Sequence, residues 1–185
     1  MLAIPLGVIS GVAIMKVMDN GMKRVYIGDR SYLVRNYNNP KIEKKVGSEL
    51  HKLTMKIEKL IRHLRKNFYS DERFKRLVDS YKGNIQEIDL KNEGEVGYNV
   101  GKGEVIGLCM TKEGNLLDVN TIMFVLLHEL SHSMTIRYDH NERFWDNFEQ
   151  VLNEALKIGI YTYEDFNSKP KMHCGMKISH APQRK

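Results

Sequence analysis

The sequence predicts a single α+β domain in which a small antiparallel sheet packs on helices. Three observations point there. One segment repeats apolar residues at helical spacing for more than twenty positions, glycine-punctuated runs of β-forming residues follow it, and two further helical patterns come after those. At 185 residues the chain has the size of one ordinary domain, or of one with an appendage. Its 42% hydrophobic and 28% charged residues exclude disordered, collagen-like and purely coiled-coil classes. Two cysteines are too few for a disulfide scaffold or a four-cysteine metal module, and a single bridge between Cys109 and Cys174 stays open.

The elements follow in order. Residues 2–15 carry no charge, and as a helix they would span about 21 Å, short of the ~30 Å hydrocarbon core. No Lys or Arg precedes this run, which disfavours a cleaved leader, whereas Lys16, Lys23 and Arg24 follow it. The segment 1–18 is therefore a membrane anchor that keeps the rest cytoplasmic, a buried apolar segment or, least favoured, the leader of an exported protein. The remaining residues, 19–185, form the domain. Residues 22–34 read as two short strands around Gly28-Asp29, and residues 36–40 as the loop that stops them. Val46, Leu50, Leu53, Ile57, Leu60, Leu64 and Phe68 then alternate four- and three-residue steps, the mark of a long amphipathic helix over about 41–68. A shorter helix fits residues 71–81.

Residues 84–90, 94–100 and 104–110 are short β-forming runs separated by glycine-rich turns. After a polar turn at 111–115, Asp118 or Asn120 can cap a helix that begins with the apolar run 121–127. Another helix spans about 141–158 and ends at Gly159, and the tail from Tyr161 reads as irregular.

The net charge of +6 is regional. Residues 41–82 hold 13 Lys/Arg against 6 acids, a surplus of +7, and the rest of the chain sums to −1. The helix 41–68 thus presents a basic outer face through Lys44, Lys45, Lys52, Lys56, Lys59, Arg62 and Lys66. It is either a solvated face or a surface for a polyanion such as DNA, although no aromatic residues interleave to stack bases. His51 and His63, on the same helix, are expected to be exposed.

The chemistry sits at His128-Glu129-Leu130-Ser131-His132, an H-E-x-x-H sequence that ends the apolar run. Four-residue spacing puts both imidazoles on one helical face, within reach of a single zinc ion. Glu129, next to the first ligand, can accept a proton from the water that such an ion activates. Two histidines and a glutamate in an apolar, buried helix are costly without a metal. His140 follows seven residues after His132, enough chain to leave the helix and turn back as third ligand. Phe144 and Trp145 open the next helix and could wedge that turn against the core. A carboxylate on that helix, Glu149 or Glu154, is the competing third ligand, or a hydrogen-bonding partner of a ligand imidazole. Asp139 is also adjacent, but three histidines leave an open fourth position for water.

At these residues the chain resembles the WLM and SprT-like metalloproteases, compact zincins with H-E-x-x-H, a downstream histidine and an aromatic pair. The resemblance extends through Val100-Gly101-Lys102-Gly103, Cys109-Met110, Asp118-x-Asn120-Thr121, Pro170 and His173-Cys174-Gly175, and is strongest to WLM-like proteins of large DNA viruses of eukaryotes. It covers about 98–178. The seven-residue gap before His140 is longer than the five usual in many cellular relatives. The resemblance implies a zincin-like fold, one Zn2+ held by His128, His132 and His140, Glu129 as general base, and hydrolysis of peptide bonds. Cellular relatives include proteases that remove proteins crosslinked to DNA, a partner that the basic helix suits.

Such an enzyme needs a strand edge to hold an extended substrate, for which residues 104–110 are the candidate. It also needs an oxyanion stabiliser, with Arg137, Tyr138, Tyr161 and Tyr163 as candidates. His173 and Cys174 read as a second metal site, as a cysteine that blocks the zinc, or as a structural loop. Two other function classes remain beside the protease: a catalytically silent, zinc-stabilised structural or adaptor protein, and a DNA-surface binding module. The location expected is cytoplasmic or nuclear-facing, membrane-anchored with the domain in the cytoplasm, or in the virion.

Overall fold

The computed structural model describes residues 21–89, 95–137 and 139–182. The apolar segment 2–15, read as an anchor or a buried segment, and the candidate Tyr138 lie outside the described residues. No helix among the described residues is long and apolar enough to cross a membrane.

Strands β1 (Met22–Ile27) and β2 (Arg30–Arg35) form an antiparallel hairpin whose turn places Gly28 at φ 61°, where glycine carries no Cβ penalty. The hairpin lies on helix α1 (Pro40–Phe68), and contact is close enough that a Cβ on Gly47 would stand 3.1 Å from Val25 Cγ1. The loop expected at 36–40 ends one step earlier than its composition suggests. Asn39 accepts from the amides of Lys41 and Ile42 as the helix cap, and Pro40 occupies the first turn, where its missing N–H costs nothing. The apolar repeat of α1 is fully buried at Val46, Leu50, Leu53, Ile57, Leu60 and Leu64, and each such residue contributes about 2 kcal/mol by burial. Helix α2 (Glu72–Ser80) follows, capped by Asp71.

His51 and His63 are half-buried and bonded, contrary to the expectation of exposure. His51 Nδ1 lies 3.0 Å from Tyr32 Oη, and His63 Nε2 lies 2.6 Å from Glu154 Oε2. Those partners come from β2 and from the last long helix, which local periodicity does not reveal.

Strands β3 (Ile85–Glu87), β4 (Gly97–Val100) and β5 (Val105–Leu108) form one sheet in the order β3-β5-β4. The sheet is mixed rather than antiparallel, because β3 runs parallel to β5 and only β4 is antiparallel to it. This also corrects the substrate edge: β5 is the central strand, hydrogen-bonded on both sides, so residues 104–110 cannot accept a peptide. Fully buried Glu87 joins this sheet to the hairpin by accepting from Arg35 N at 2.8 Å, Arg35 Nε at 3.1 Å and the Tyr37 hydroxyl.

A short hairpin, β6 (Thr111–Lys112) and β7 (Asn115–Leu116), leads to helix α3 (Val119–Ser131), capped by Asp118 through Thr121 N and Oγ1. From Thr121 onward every residue of α3 is buried, as befits a helix apolar on all sides. A 3-10 turn (His132–Met134) extends it. Helix α4 (Glu142–Lys157), capped by Asn141, packs across α3.

The tail is more regular than its composition suggests. Strands β8 (Lys171–His173) and β9 (Met176–Ile178) form a hairpin, and a Cys109–Cys174 disulfide fastens it to the end of β5. Cys174 is therefore not a metal ligand, and the second metal site is ruled out with it. His173 is buried, and its pKa is pushed down to about 4 by that burial.

Candidate active site

The histidine cluster is assembled by two structural facts. The four-residue spacing of His128 and His132 stacks them on one face of α3 and its 3-10 extension, with ring centroids 5.1 Å apart. His140 stands just before the cap of α4 and returns to both, with centroids 5.0 Å from His128 and 4.8 Å from His132. One ligand nitrogen from each residue lies within 4.8 Å of the others, and His128 Nε2 is 3.0 Å from His140 Nε2. Nitrogens sharing a tetrahedral zinc at 2.0–2.1 Å sit roughly 3.3 Å apart, so the set matches one ion.

Phe144 forms the floor of the cluster. Fully buried, it stacks on His132 at 4.4 Å and meets His140 at 4.7 Å and His128 at 4.8 Å. Trp145 stands 6.2 Å from His140 at the rim. The aromatic pair thus holds the returning histidine as its position in the sequence suggests.

Electrostatics keeps the rings in the ligand form. Burial pushes the pKa of His128 well below its usual value, and nearby His132 and His140 add to the effect. His132 is driven down to about 3, first by burial, then by His140 and Lys102. His140 is lowered by burial as well. Three neutral imidazoles therefore share one pocket, and His132 Nδ1 is buried there without a hydrogen-bond partner among the described residues. A donor set of this kind, with an orphaned ring nitrogen, fits a zinc ion.

Glu129 is 1% exposed and does not join the ligand set. Its pKa is raised to about 8, chiefly by burial and secondarily by Glu95. Its Oε1 has no hydrogen-bond partner among the described residues. Gly97 on β4 makes room for it: a Cβ there would lie 3.2 Å from Oε1 and 3.0 Å from Val125 Cγ1. Asn99, two residues on, donates to Glu129 O at 2.5 Å and to Ser133 Oγ at 3.1 Å, tying β4 to the active helix.

Strand β4 is the edge beside the cluster. Leu108 O accepts from Ile88 N and Ile106 N donates to Asn84 O, so those two residues of β5 face β3. Cys109 N instead donates to Val96 O. In an antiparallel ladder this alternation turns the main-chain groups of Gly97 and Asn99 to the open side. Sequence reasoning missed both residues. A glycine within a strand pattern, the usual sign of close approach by another group, was the available signal for Gly97.

The other candidates are not brought to the cluster. Glu154 accepts from Lys157 and pairs with His63 between α1 and α4, and Glu149 lines a cavity with Phe124, Tyr161 and Tyr163. Neither carboxylate is a third ligand. Tyr161 is buried against Phe124, with ring centroids 6.2 Å apart, one helical turn before His128. Arg137 is exposed on the connection between His132 and His140, and its carbonyl accepts from Thr135 Oγ1 at 2.6 Å.

The chain is 29% identical over 158 residues to an uncharacterized protein of Acanthamoeba polyphaga mimivirus, covering 82% of this chain and 79% of that one. It is 30% identical over 81 residues to an uncharacterized protein of Invertebrate iridescent virus 6, covering 42% and 44%. Among solved structures it is similar to Wss1 from Saccharomyces cerevisiae, at 20% identity and a TM-score of 0.41 over 64% of this chain and 77% of that one. The model of the WLM domain matches residues 78–185, more than half of the chain and the whole of the histidine cluster. The chain belongs to the WLM family, a zinc-dependent family of metalloprotease type.

Proposed function

We propose that the chain is a zinc-dependent endopeptidase that hydrolyses peptide bonds with an activated water. The observation that carries this reading is the position of Glu129: buried beside three neutral histidines, outside the ligand set, and facing the β4 edge. His128, His132 and His140 would hold the ion. A bound Zn2+ supplies Lewis acidity, polarising the scissile carbonyl and acidifying water.

The remaining steps belong to the chain's own residues. Gly97 and Asn99 offer main-chain donors and acceptors to an extended peptide, which adds to β4 as a further strand. Glu129 takes the proton of the attacking water. It then passes that proton to the leaving amine as the peptide bond breaks. The burial that raises its pKa excludes bulk water, so Glu129 trades protons only with what enters the site.

The basic face of α1 supports action on proteins held on DNA or in a virion. Lys41, Lys44, Lys45, Lys56, Arg62 and Lys66 are exposed and form no ion pair among the described residues. With Lys52 and Lys59 they follow one stripe about 38 Å long. Binding to DNA through it should weaken steeply as salt rises.

The test is to incubate the zinc-loaded protein with unfolded protein substrates, with and without DNA, and to sequence new N-termini. Cleavage that a chelator stops and zinc restores is the expected result. A protein that binds zinc stoichiometrically, gains stability from it and never cuts would favour the adaptor reading instead.

A further inference from the structure

The connection from His132 to His140 is gripped by side chains from two other elements. Arg76 on α2 reaches the end of the 3-10 turn, donating to Met134 O from Nε at 3.2 Å and Nη2 at 2.9 Å. Lys102, in the turn between β4 and β5, donates from Nζ to the next carbonyl, Thr135 O. Thr135 then closes the turn itself, its one Oγ1 proton within reach of Arg137 O at 2.6 Å and of His132 O at 3.1 Å.

These are the carbonyls that a helix end leaves without intrahelical partners. Water could satisfy them, but here two basic side chains do so, one from α2 and one from the β4–β5 turn. Lys102 adopts φ 55°, a left-handed conformation rare for lysine, between Gly101 and Gly103, which are also left-handed. The turn thus holds an unfavourable backbone in the conformation that aims this ammonium at Thr135. At the far end of the connection, Asn141 caps α4 and donates from Nδ2 to Asp139 Oδ1 at 3.0 Å. His140 therefore hangs between two fixed points.

We propose that Arg76 and Lys102 are positioning residues for the third histidine: by fixing the chain just past His132, they set how tightly the three imidazoles close on a metal ion. The inference rests on the reading of His128, His132 and His140 as the metal ligands. Charge alone works the other way, because two cations beside a cation site repel its occupant. The role is therefore one of geometry.

The experiment measures Zn2+ affinity by competition with a chromophoric chelator, and Co2+ coordination by visible absorption, on the full chain. Arg76→Ala and Lys102→Met should each weaken Zn2+ binding about tenfold, the range seen when groups orienting metal ligands are removed. They should also weaken the four-coordinate Co2+ band. Arg76→Lys, which keeps one donor, should lose less. Arg73→Ala serves as control: it sits on the same helix but bonds Asp71, Asn147 and Gln150, and should leave affinity within twofold.

Variants that lose thermal stability yet bind Zn2+ within twofold of the parent would overturn the proposal, leaving a purely structural clamp. Tighter Zn2+ binding by Lys102→Met would overturn it too, showing that repulsion outweighs positioning. Should Arg76→Ala not fold, Arg76→Lys and Lys102→Met decide the matter. A parent that binds no zinc, or a His140→Ala variant that binds it as well as the parent, would refute the metal-site reading itself, a separate result.

Discussion

His128 Nε2 and His140 Nε2 face each other at 3.0 Å, although twelve positions separate the two residues. One is fixed by helix α3, the other by the cap of α4, so the pair is built from two elements that pack together. Glu154, the rival as third ligand, is engaged elsewhere, between His63 and Lys157. His140→Ala should therefore weaken zinc binding roughly hundredfold or more. Glu154→Gln should leave zinc affinity intact and reduce stability by about 1–2 kcal/mol, through the lost contact between α1 and α4. Isothermal titration and denaturant unfolding of the two variants separate these outcomes, and the opposite pattern would make Glu154 the ligand.

The metal-free protein carries two opposing pH dependences. Burial depresses His173 to about 4 and His132 to about 3 from a usual 6.5, so the folded state resists protons that the unfolded chain takes up. That contribution to stability is complete above about pH 6.5 and is lost as the pH falls through the folded values. Glu129 has the reverse sign. Its pKa rises from 4.5 to about 8, so its contribution is present below 4.5 and is lost as the pH rises through 8. Glu129→Gln should therefore raise the Tm of chelator-treated protein more at pH 8 than at pH 5. An equal increment at both values would show that the carboxyl does not resist ionisation there.

Gly97 leaves little room for a side chain beside Glu129. A Cβ on it would meet Val125 Cγ1 at 3.0 Å, Glu129 Oε1 at 3.2 Å and Gly107 O at 3.2 Å. Gly97→Ala should cost about 1–3 kcal/mol by overpacking. It should also lower kcat/KM at least tenfold while zinc content stays at one per chain. Full activity in a stable Gly97→Ala protein would mean that Glu129 does not work from the position against β4.

The Cys109–Cys174 bridge closes a loop of 65 residues and fastens the β8–β9 hairpin to the central strand. A loop of that length predicts about 4 kcal/mol of stabilisation from the restricted unfolded chain. Unfolding in denaturant with and without reductant, and of Cys174→Ser, should show a loss of about 2–4 kcal/mol. Identical midpoints would mean that the hairpin adds nothing to global stability.

Helices were the legible part of the sequence. The apolar repeat of α1, the all-apolar run of α3 and Asp118, one of two cap candidates for that helix, are local signals, and the structure follows them. The pairing of His128, His132 and His140 was legible too, because helical spacing fixes two and chain length allows the third to return. Sheet order was not. Strands β3, β4 and β5 have three or four residues each, too short for alternation to show which lies in the middle. The β8–β9 hairpin was hidden for a related reason: its strands have three residues each, and the disulfide that fastens it reaches across 65 residues. Asn99, Arg76 and Lys102 act through carbonyls distant in sequence, and Tyr161 looked available for catalysis until its burial against Phe124 was seen.

The account depends most on Glu129 as the proton acceptor of a zinc-dependent hydrolysis. Zinc content and proteolysis should be measured on the same preparations of the parent and of Glu129→Gln. The predicted result is one zinc per chain in both, with cleavage about 10²–10⁴-fold slower in the variant. A variant that cleaves at the parental rate, or one that loses its zinc along with its activity, would contradict it.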